Sequence, residues 1–171
     1  MFKKRAELKG HDAGIYTLAY DHIHQRLYSG GGDKVLASWD LESFQATPFM
    51  VKSTHTIYAL AILEKHQLLC LAQQKGGIHV IHLPDKKEIK HILAHDQAIF
   101  DLLYLPEFDY LVATGLSGEL TIWSVPDFTL IQRISLGVEK IRKLFYHKNI
   151  LYVPSQDGFI SVSYTHLKSW F

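Results

Sequence analysis

The sequence predicts an all-β protein assembled from about four copies of one small antiparallel sheet. Three observations indicate this fold: a repeat of about 42 residues, short apolar segments within each repeat, and turn-forming clusters between those segments. A shift of 42 residues aligns two columns of identical residues, Ile15, Ile57, Ile99 and Ile141, and Leu18, Leu60, Leu102 and Leu144. Eight identities in two columns are not chance, so each repeat follows one structural plan.

Each repeat has room for four strands. Its apolar segments are about five to eight residues long and rich in β-branched and aromatic residues, which favours strands. In the first repeat we expect strands near 16–20, 26–29, 36–40 and 45–51. Four strands in a period of about 40 to 45 residues is the arrangement of a β-propeller blade. A helical repeat would need an apolar period of about 3.6 residues, which is absent.

The first repeat carries the most specific motif. It opens with Gly10-His11, continues through a Ser-Gly-Gly-Gly-Asp segment at 29–33, and closes with Trp39-Asp40. This pattern resembles a unit of the WD-repeat family, with its opening Gly-His and closing Trp-Asp. The resemblance implies a propeller whose blades act as a binding platform.

The other repeats keep parts of this signature. The third has His95 and Trp123, the fourth has Asp157-Gly158, and the second has lost nearly every signature residue. The resemblance nevertheless covers the whole chain and implies one WD-repeat propeller array. It consists of an outer closing strand at 1–9 and blades at 10–51, 52–93, 94–135 and 136–171, the last incomplete.

The resemblance also implies a hydrogen-bonded tetrad inside the first blade. In this family a His, a Ser or Thr, an Asp and a Trp form one connected chain, and the matching positions are His11, Ser29, Asp33 and Trp39. A neutral imidazole donates and accepts, a carboxylate accepts, a hydroxyl does both, and an indole N–H donates. The four groups can therefore satisfy one another away from water.

The tetrad is incomplete elsewhere. The third blade retains His95 and Trp123 as a partial tetrad, but Ala113 and Ser117 stand where Ser and Asp would be, so its network is broken or rerouted. The second blade must rely on apolar packing, because its four positions are Ser53, Leu71, Lys75 and Ile81.

The sequence predicts no catalytic residues, no metal and no cofactor. A His, a Ser and an Asp in one repeat invite a hydrolase interpretation, but Ser29 has no Gly-x-Ser-x-Gly context. The histidine pairs His22 with His24 and His79 with His82 have no Cys or carboxylate at ligand spacing. These four histidines are therefore interpreted as surface residues.

Equivalent positions in successive blades form rings, so a column of the repeat becomes a surface. The column Tyr16, Tyr58, Phe100 and Arg142 lies, by the resemblance, near the top-face entrance of the propeller channel. Aromatic and Arg side chains are frequent anchors of protein interfaces. The alternative is that these aromatics pack between blades. Two neighbouring columns join them on that face: Gly14, Thr56, Ala98 and Lys140, and Gly32, Gln74, Leu116 and Gln156.

We therefore expect a non-catalytic interaction scaffold that binds a protein or peptide on its top face. The alternative is a propeller that binds a small molecule, or acts as an enzyme, through its channel. Eighteen Lys and Arg against 17 Asp and Glu leave a charge of +1, which favours neither a nucleic acid nor a membrane as partner. No apolar run is long enough for a signal peptide or a membrane span, so we expect a cytoplasmic protein whose single cysteine, Cys70, is buried.

The number of blades raises a question of closure. Closed propellers of the family usually have seven blades, and this chain has about four. An open array leaves strand edges and apolar blade faces uncovered. Two explanations remain open: the chain is the N-terminal part of a longer propeller, or two copies form a homodimer that closes an eight-bladed ring.

Overall fold

The computed structural model describes residues 3–164, which form fifteen strands in four antiparallel sheets. Blade 1 comprises β1 (Ile15–Asp21), β2 (Arg26–Gly31), β3 (Val35–Asp40) and β4 (Gln45–Lys52). Blade 2 comprises β5 (Ile57–Leu63), β6 (Leu68–Gln73), β7 (Gly77–His82) and β8 (Lys87–Leu93), with a 3₁₀ turn at Glu64–His66. Blade 3 comprises β9 (Ile99–Leu105), β10 (Tyr110–Gly115), β11 (Glu119–Ser124) and β12 (Leu130–Ser135), and blade 4 comprises β13 (Phe145–His147), β14 (Ile150–Pro154) and β15 (Ile160–Tyr164).

The predicted all-β fold of repeated blades is confirmed, as are the four strands of the first repeat. Each sheet is a meander in which sequential strands pair. Residues 1–2 and 165–171, at the ends of the predicted closing strand and of blade 4, lie outside the described residues. Residues 3–9 form no strand with any described residue, so the predicted ring-closing pairing stays a prediction.

The register places equivalent residues at the same end of every blade. In blade 1, Ile15 pairs with Gly31 where β1 begins, and Asp21 pairs with Arg26 where β1 ends. The β2–β3 turn therefore lies beside the start of the first strand. We call this end of the blades the top face and the other end the bottom face. No helix in the described part of the chain is long and apolar enough to cross a membrane.

The core lies between the blades. The side of a blade that packs on the preceding blade is its rear face, and the side that packs on the next blade is its forward face. Blade 1 contributes Tyr28 and Leu36 from its forward face to a buried cluster with Ile57 and Leu60 from the rear face of blade 2. Equivalent clusters join blade 2 to blade 3 and blade 3 to blade 4. Each sheet is thus stabilised mainly by its neighbours.

A side-chain acceptor on the first strand of a blade reinforces two of these interfaces. The hydroxyl of Thr17 in blade 1 accepts the backbone N–H of Leu60 in blade 2, with N and Oγ1 3.1 Å apart. The buried carboxylate of Asp101 in blade 3 accepts the backbone N–H of Leu144 at 2.7 Å and the Lys143 ammonium at 2.8 Å. Asp101, the acid of the third repeat's first strand, is therefore used in joining blades.

The burial of the repeated leucines predicts their contributions to stability. Leu102 on the rear face of blade 3 is 6% exposed, whereas Leu93 on the outer strand of blade 2 is 78% exposed. Leu102→Ala should lower the free energy of unfolding by about 2–4 kcal/mol, because it leaves a cavity between blades. Leu93→Ala, the matched control, should change it by less than about 0.5 kcal/mol. Urea unfolding of both variants measures the difference, and equal losses would contradict an inter-blade core.

Candidate functional site

Three residues of the predicted aromatic column occupy one repeated backbone irregularity. The pairing of the first strand with the second is regular in blades 1, 2 and 3 except at one step, which skips Tyr16, Tyr58 and Phe100 respectively. Such a bulge leaves one residue unpaired and changes the direction of its side chain. The preceding residue in blade 2, Ile57, is fully buried between blades. The bulge therefore separates a core residue from an adjacent residue that is free to lie on the top face.

The bulged side chains form a continuous ladder across the blades. The rings of Tyr16 and Tyr58 have centroids 5.3 Å apart, and those of Tyr58 and Phe100 are 5.4 Å apart in an edge-to-face arrangement. The Arg142 guanidinium lies 5.1 Å from the centroid of the Phe100 ring. These separations suit aromatic pairs and a cation–π contact. We call Tyr16, Tyr58, Phe100 and Arg142 the aromatic ladder.

The ladder remains accessible although its members pack on one another. Tyr16 is 58% exposed, Arg142 is exposed, and Tyr58 and Phe100 are half-buried. The rings therefore pack against one another between blades, as the alternative interpretation expected. Their outer surfaces nevertheless stay open to solvent. Their role in binding stays a prediction.

A repeated backbone hydrogen bond holds the two neighbouring columns together on the top face. In blades 1, 2 and 3 the turn residue donates its N–H to the carbonyl of the residue two positions before the ladder, from Gly32 to Gly14, Gln74 to Thr56 and Leu116 to Ala98, at 2.9–3.0 Å. In blade 4 the N–H of Gln156 reaches Glu139 at 3.4 Å instead of Lys140. Glu139 therefore takes the place in blade 4 that Gly14, Thr56 and Ala98 have in blades 1 to 3. Lys140, which was expected there, lies one residue further along the chain.

A groove of about 420 Å³ lies on the top face where blades 2 and 3 meet. Its lining includes the ladder residues Tyr58 and Phe100 and five further exposed or half-buried side chains, Gln74, Lys75, Asp96, Gln97 and Leu116, together with the buried Ala98. Lys75, Asp96 and Gln97 were not among the predicted binding residues. Lys75 stands in the Asp position of the tetrad, and Asp96 and Gln97 follow His95, so the resemblance assigned this region a structural role.

The blade 1 tetrad residues form one hydrogen-bonded chain. The imidazole of His11 lies with Nδ1 2.7 Å from Asp33 Oδ2 and with Nε2 2.7 Å from Ser29 Oγ. The indole Nε1 of Trp39 donates to the same hydroxyl at 2.7 Å. Burial would raise the pKa of Asp33, but the hydrogen bonds from His11 and from the backbone N–H groups of Val35 and Asp12 outweigh it and lower that pKa.

In blade 3 the network is rerouted through Thr121. The His95 imidazole lies with Nδ1 3.2 Å from Ser117 Oγ and with Nε2 3.0 Å from Thr121 Oγ1, and Trp123 Nε1 donates to Thr121 Oγ1 at 3.0 Å. Thr121 is the cross-strand partner of Ala113, just as Ala37 is the cross-strand partner of Ser29 in blade 1. Paired residues lie on one side of a sheet, so the hydroxyl can come from either strand. The sequence shows Thr121, but its position opposite Ala113 follows from the strand register, so the sequence alone did not reveal the rearrangement.

Blade 2 replaces the tetrad mainly with apolar packing. Leu71 and Ile81 stand in the Ser and Trp positions and belong to the buried cluster between blades 1 and 2. The Gln73 amide donates to the Ser53 hydroxyl, which donates to the His55 carbonyl at 2.8 Å. Lys75, in the Asp position, is exposed and lines the top-face groove.

The histidine pairs are not isolated, which corrects the expectation that carboxylates are absent beside them. His24, His79 and His82 hydrogen-bond to Asp21, Glu88 and Asp85, at 2.7, 3.0 and 2.7 Å respectively. Within residues 3–164, no three His, Cys, Asp or Glu side chains are grouped so that they could hold a metal ion. Cys70 is fully buried as predicted, and burial raises the pKa of its thiol.

Known proteins share both the motif and the fold. Residues 2–40 match the family described as WD domain, G-beta repeat. The chain is 25% identical over 122 residues to Protein groucho of Drosophila melanogaster, a match that covers 70% of this chain and 16% of groucho. The chain thus spans about a sixth of the length of that curated relative.

Two solved structures illustrate the shared fold. The RRP9 WD40 repeats superpose with a TM-score of 0.83 at 15% identity, over 91% of this chain and 49% of theirs. The computationally designed Ika4 protein superposes with a TM-score of 0.80 at 21% identity, over 96% of this chain and 99% of its own. At these identities the likeness establishes the blade architecture alone.

The rerouted network in blade 3 predicts that a hydroxyl on the facing strand can replace that of Ser29 in blade 1. Ser29→Ala should destabilise the chain by about 1–3 kcal/mol, because it leaves His11 and Trp39 without their shared partner. Adding Ala37→Thr should recover part of this loss by placing the hydroxyl as in blade 3. Urea unfolding of the single and double variants provides the measurement. Ala37→Val in the Ser29→Ala background is the matched control, since it supplies the same shape without the hydroxyl. Equal recovery by Thr and Val would contradict the role of the hydrogen bonds.

His95 predicts a pH dependence of stability. Burial, followed by the positive charge of Arg133, lowers the pKa of His95, and together they outweigh the opposite effects of Glu119 and Asp96. The unfolded chain therefore takes up a proton at this imidazole below about pH 6.5, where the folded chain holds it neutral. The stabilisation is complete above that pH and is lost as the pH falls below it.

His95→Gln isolates this contribution. We expect the stability advantage of the wild-type chain over His95→Gln to shrink as the pH falls from about 7 to about 5. Urea unfolding of both proteins across this range measures the advantage. An advantage that grows or stays constant at acidic pH would contradict the assignment.

Proposed function

We propose that this chain is a non-catalytic cytoplasmic interaction module whose top face binds a protein or peptide. The reason is that it shares the repeat motif and the fold of WD40-repeat proteins. The observation that carries the proposal is the aromatic ladder. The same bulge recurs in three blades and places an aromatic side chain at the same accessible position each time. β-bulges are frequent beside functional sites, where they direct a side chain.

The chemistry of the ladder suits recognition of a polypeptide. Large aromatic rings bury much surface with few rotatable bonds, and Tyr and Arg are enriched among residues that dominate binding energy. The ladder rings contact one another, so little side-chain freedom is left to lose on binding. This preorganisation supports the ladder as the centre of an interface.

The groove beside the ladder supports a partner with mixed character. Tyr58, Phe100 and Leu116 offer apolar surface, while Lys75 and Asp96 offer charges of opposite sign. A volume of about 420 Å³ is within the usual range of about 300–1,000 Å³ for binding sites. We propose that the groove takes an apolar side chain of the partner and that Gln74 and Gln97 hydrogen-bond to its backbone.

Peptide selection tests the proposal directly. A phage-displayed library of random linear peptides is panned against the purified chain, and the affinities of enriched peptides are measured by calorimetry. Phe100→Ala should weaken binding at least about tenfold, equivalent to about 1.4 kcal/mol, because it removes the ring shared by the ladder and the groove. Tyr58→Ala should act in the same direction.

Tyr20→Ala is the matched control. Tyr20 is a half-buried aromatic on the same strand as Tyr16, but it lies toward the bottom face, where its ring meets His22 at 4.5 Å. This variant should leave peptide affinity unchanged, and urea unfolding verifies that all the variants remain folded. Peptides that lose affinity with Tyr20→Ala and not with Phe100→Ala would overturn the top-face assignment.

A further inference from the structure

The repeated Ile and Leu on the rear face of blade 1 match those of the other blades in residue type but differ from them in exposure. Ile15 is 49% exposed, whereas Ile57, Ile99 and Ile141 in the same column are all 0% exposed. Leu18 is 60% exposed, whereas Leu60, Leu102 and Leu144 are 7%, 6% and 4% exposed. In blades 2–4 these residues are covered by the forward face of the preceding blade. Blade 1 carries the same apolar face with no described blade in front of it.

The forward face of blade 4 has the complementary difference. Ile160 is 65% exposed, whereas Leu36, Ile78 and Leu120 at the equivalent position are 0%, 0% and 2% exposed. Val162 is 52% exposed, whereas Ser38, Val80 and Ile122 are 3%, 0% and 5% exposed. Phe145, in the column of Ala19, Ala61 and Leu103, is 61% exposed. Blade 4 thus carries a forward face that no described residue covers.

These two faces are the two halves of an interface that the chain already forms three times. Between blades 3 and 4, Leu120 and Ile122 of the forward face are buried in one cluster with Ile141 and Leu144 of the rear face. At the ends of the chain, Ile160 and Val162 supply the first half and Ile15 and Leu18 supply the second, with side chains of similar size. The internal interfaces therefore indicate the partner chemistry of each exposed face.

We propose that the forward face of blade 4 docks on the rear face of blade 1 of a second copy of this chain, and that two copies close a ring head to tail. Each copy presents both halves, so one type of contact covers both exposed faces when the rotation closes. Two copies give about eight blades, which is within the range of closed propellers, about four to eight. This inference does not depend on what the top face binds.

The polar contacts between blades are compatible with this closure. Thr17 and Asp101 each accept an N–H from the next blade, but Ala59, at the same position in blade 2, has no side-chain acceptor. The interface between blades 2 and 3 therefore forms without this hydrogen bond. Lys143, at this position in blade 4, ion-pairs with Asp101 of blade 3 and is not required to reach Leu18.

The mass in solution tests the proposal. Light scattering coupled to gel filtration of the full chain should give about twice 19.6 kDa. Leu18→Glu and Ile160→Glu should each reduce the mass to that of one chain, because each places a charge in both contacts of the ring. Both positions are more than half exposed within a single chain, so the fold should persist, as circular dichroism verifies. Leu93→Glu, on an exposed outer strand, is the matched control and should leave the mass of two chains unchanged.

Mixing the two variants tests the head-to-tail geometry. The Leu18→Glu chain keeps an intact forward face and the Ile160→Glu chain keeps an intact rear face, so their mixture should recover a two-chain species through one intact contact. Native mass spectrometry with one variant isotope-labelled identifies the mixed pair. A single-chain mass for the wild-type protein, a polydisperse product, or a Leu18→Glu protein that stays paired would each overturn the proposal. Loss of pairing with Leu18→Glu but not with Ile160→Glu would also overturn it, because it would indicate contact between two rear faces.

Discussion

The apolar contact between successive blades is the interaction on which the rest of this structure depends. A small isolated sheet is marginal in water because it cannot bury its faces, and repeat architectures solve this by covering each unit with its neighbour. Here Ile57, Ile99 and Ile141 are fully buried at three such contacts. The same requirement makes two exposed faces notable. Ile15 and Ile160 are exposed in spite of their apolar character, since no described residue covers them.

This packing joins every pair of successive blades, whereas the polar tetrad varies from blade to blade. Blade 1 has the full chain from Asp33 to Trp39, blade 3 obtains its hydroxyl from Thr121 on the facing strand, and blade 2 uses Leu71 and Ile81. A buried polar network is favourable only when each member has a partner. Blade 1 meets this condition with a complete network, blade 3 with a hydroxyl from the paired strand, and blade 2 by replacing polar residues with apolar ones.

The candidate binding surface is a consequence of the same contact. The first strand of each blade must hold its Ile in the core, and the bulge that follows turns the next side chain to the top face. Since neighbouring blades are held at a fixed spacing, their bulged residues meet as a ladder from Tyr16 to Arg142. The proposed interface therefore depends on the regular spacing of the blades and requires no change in the core.

Local patterns in the sequence determined the period, the blade type and the repeated Ile and Leu columns, because the spacing of strands and turns repeats within short segments. The His11, Ser29, Asp33 and Trp39 set followed from a motif confined to one blade. Tertiary structure alone decided which blade faces are covered, since Leu18 and Leu60 look identical in sequence and differ only in what lies in front of them. It also decided the bulge, the role of Thr121 and the groove beside Lys75 and Asp96, because each depends on strand register or on the meeting of two blades.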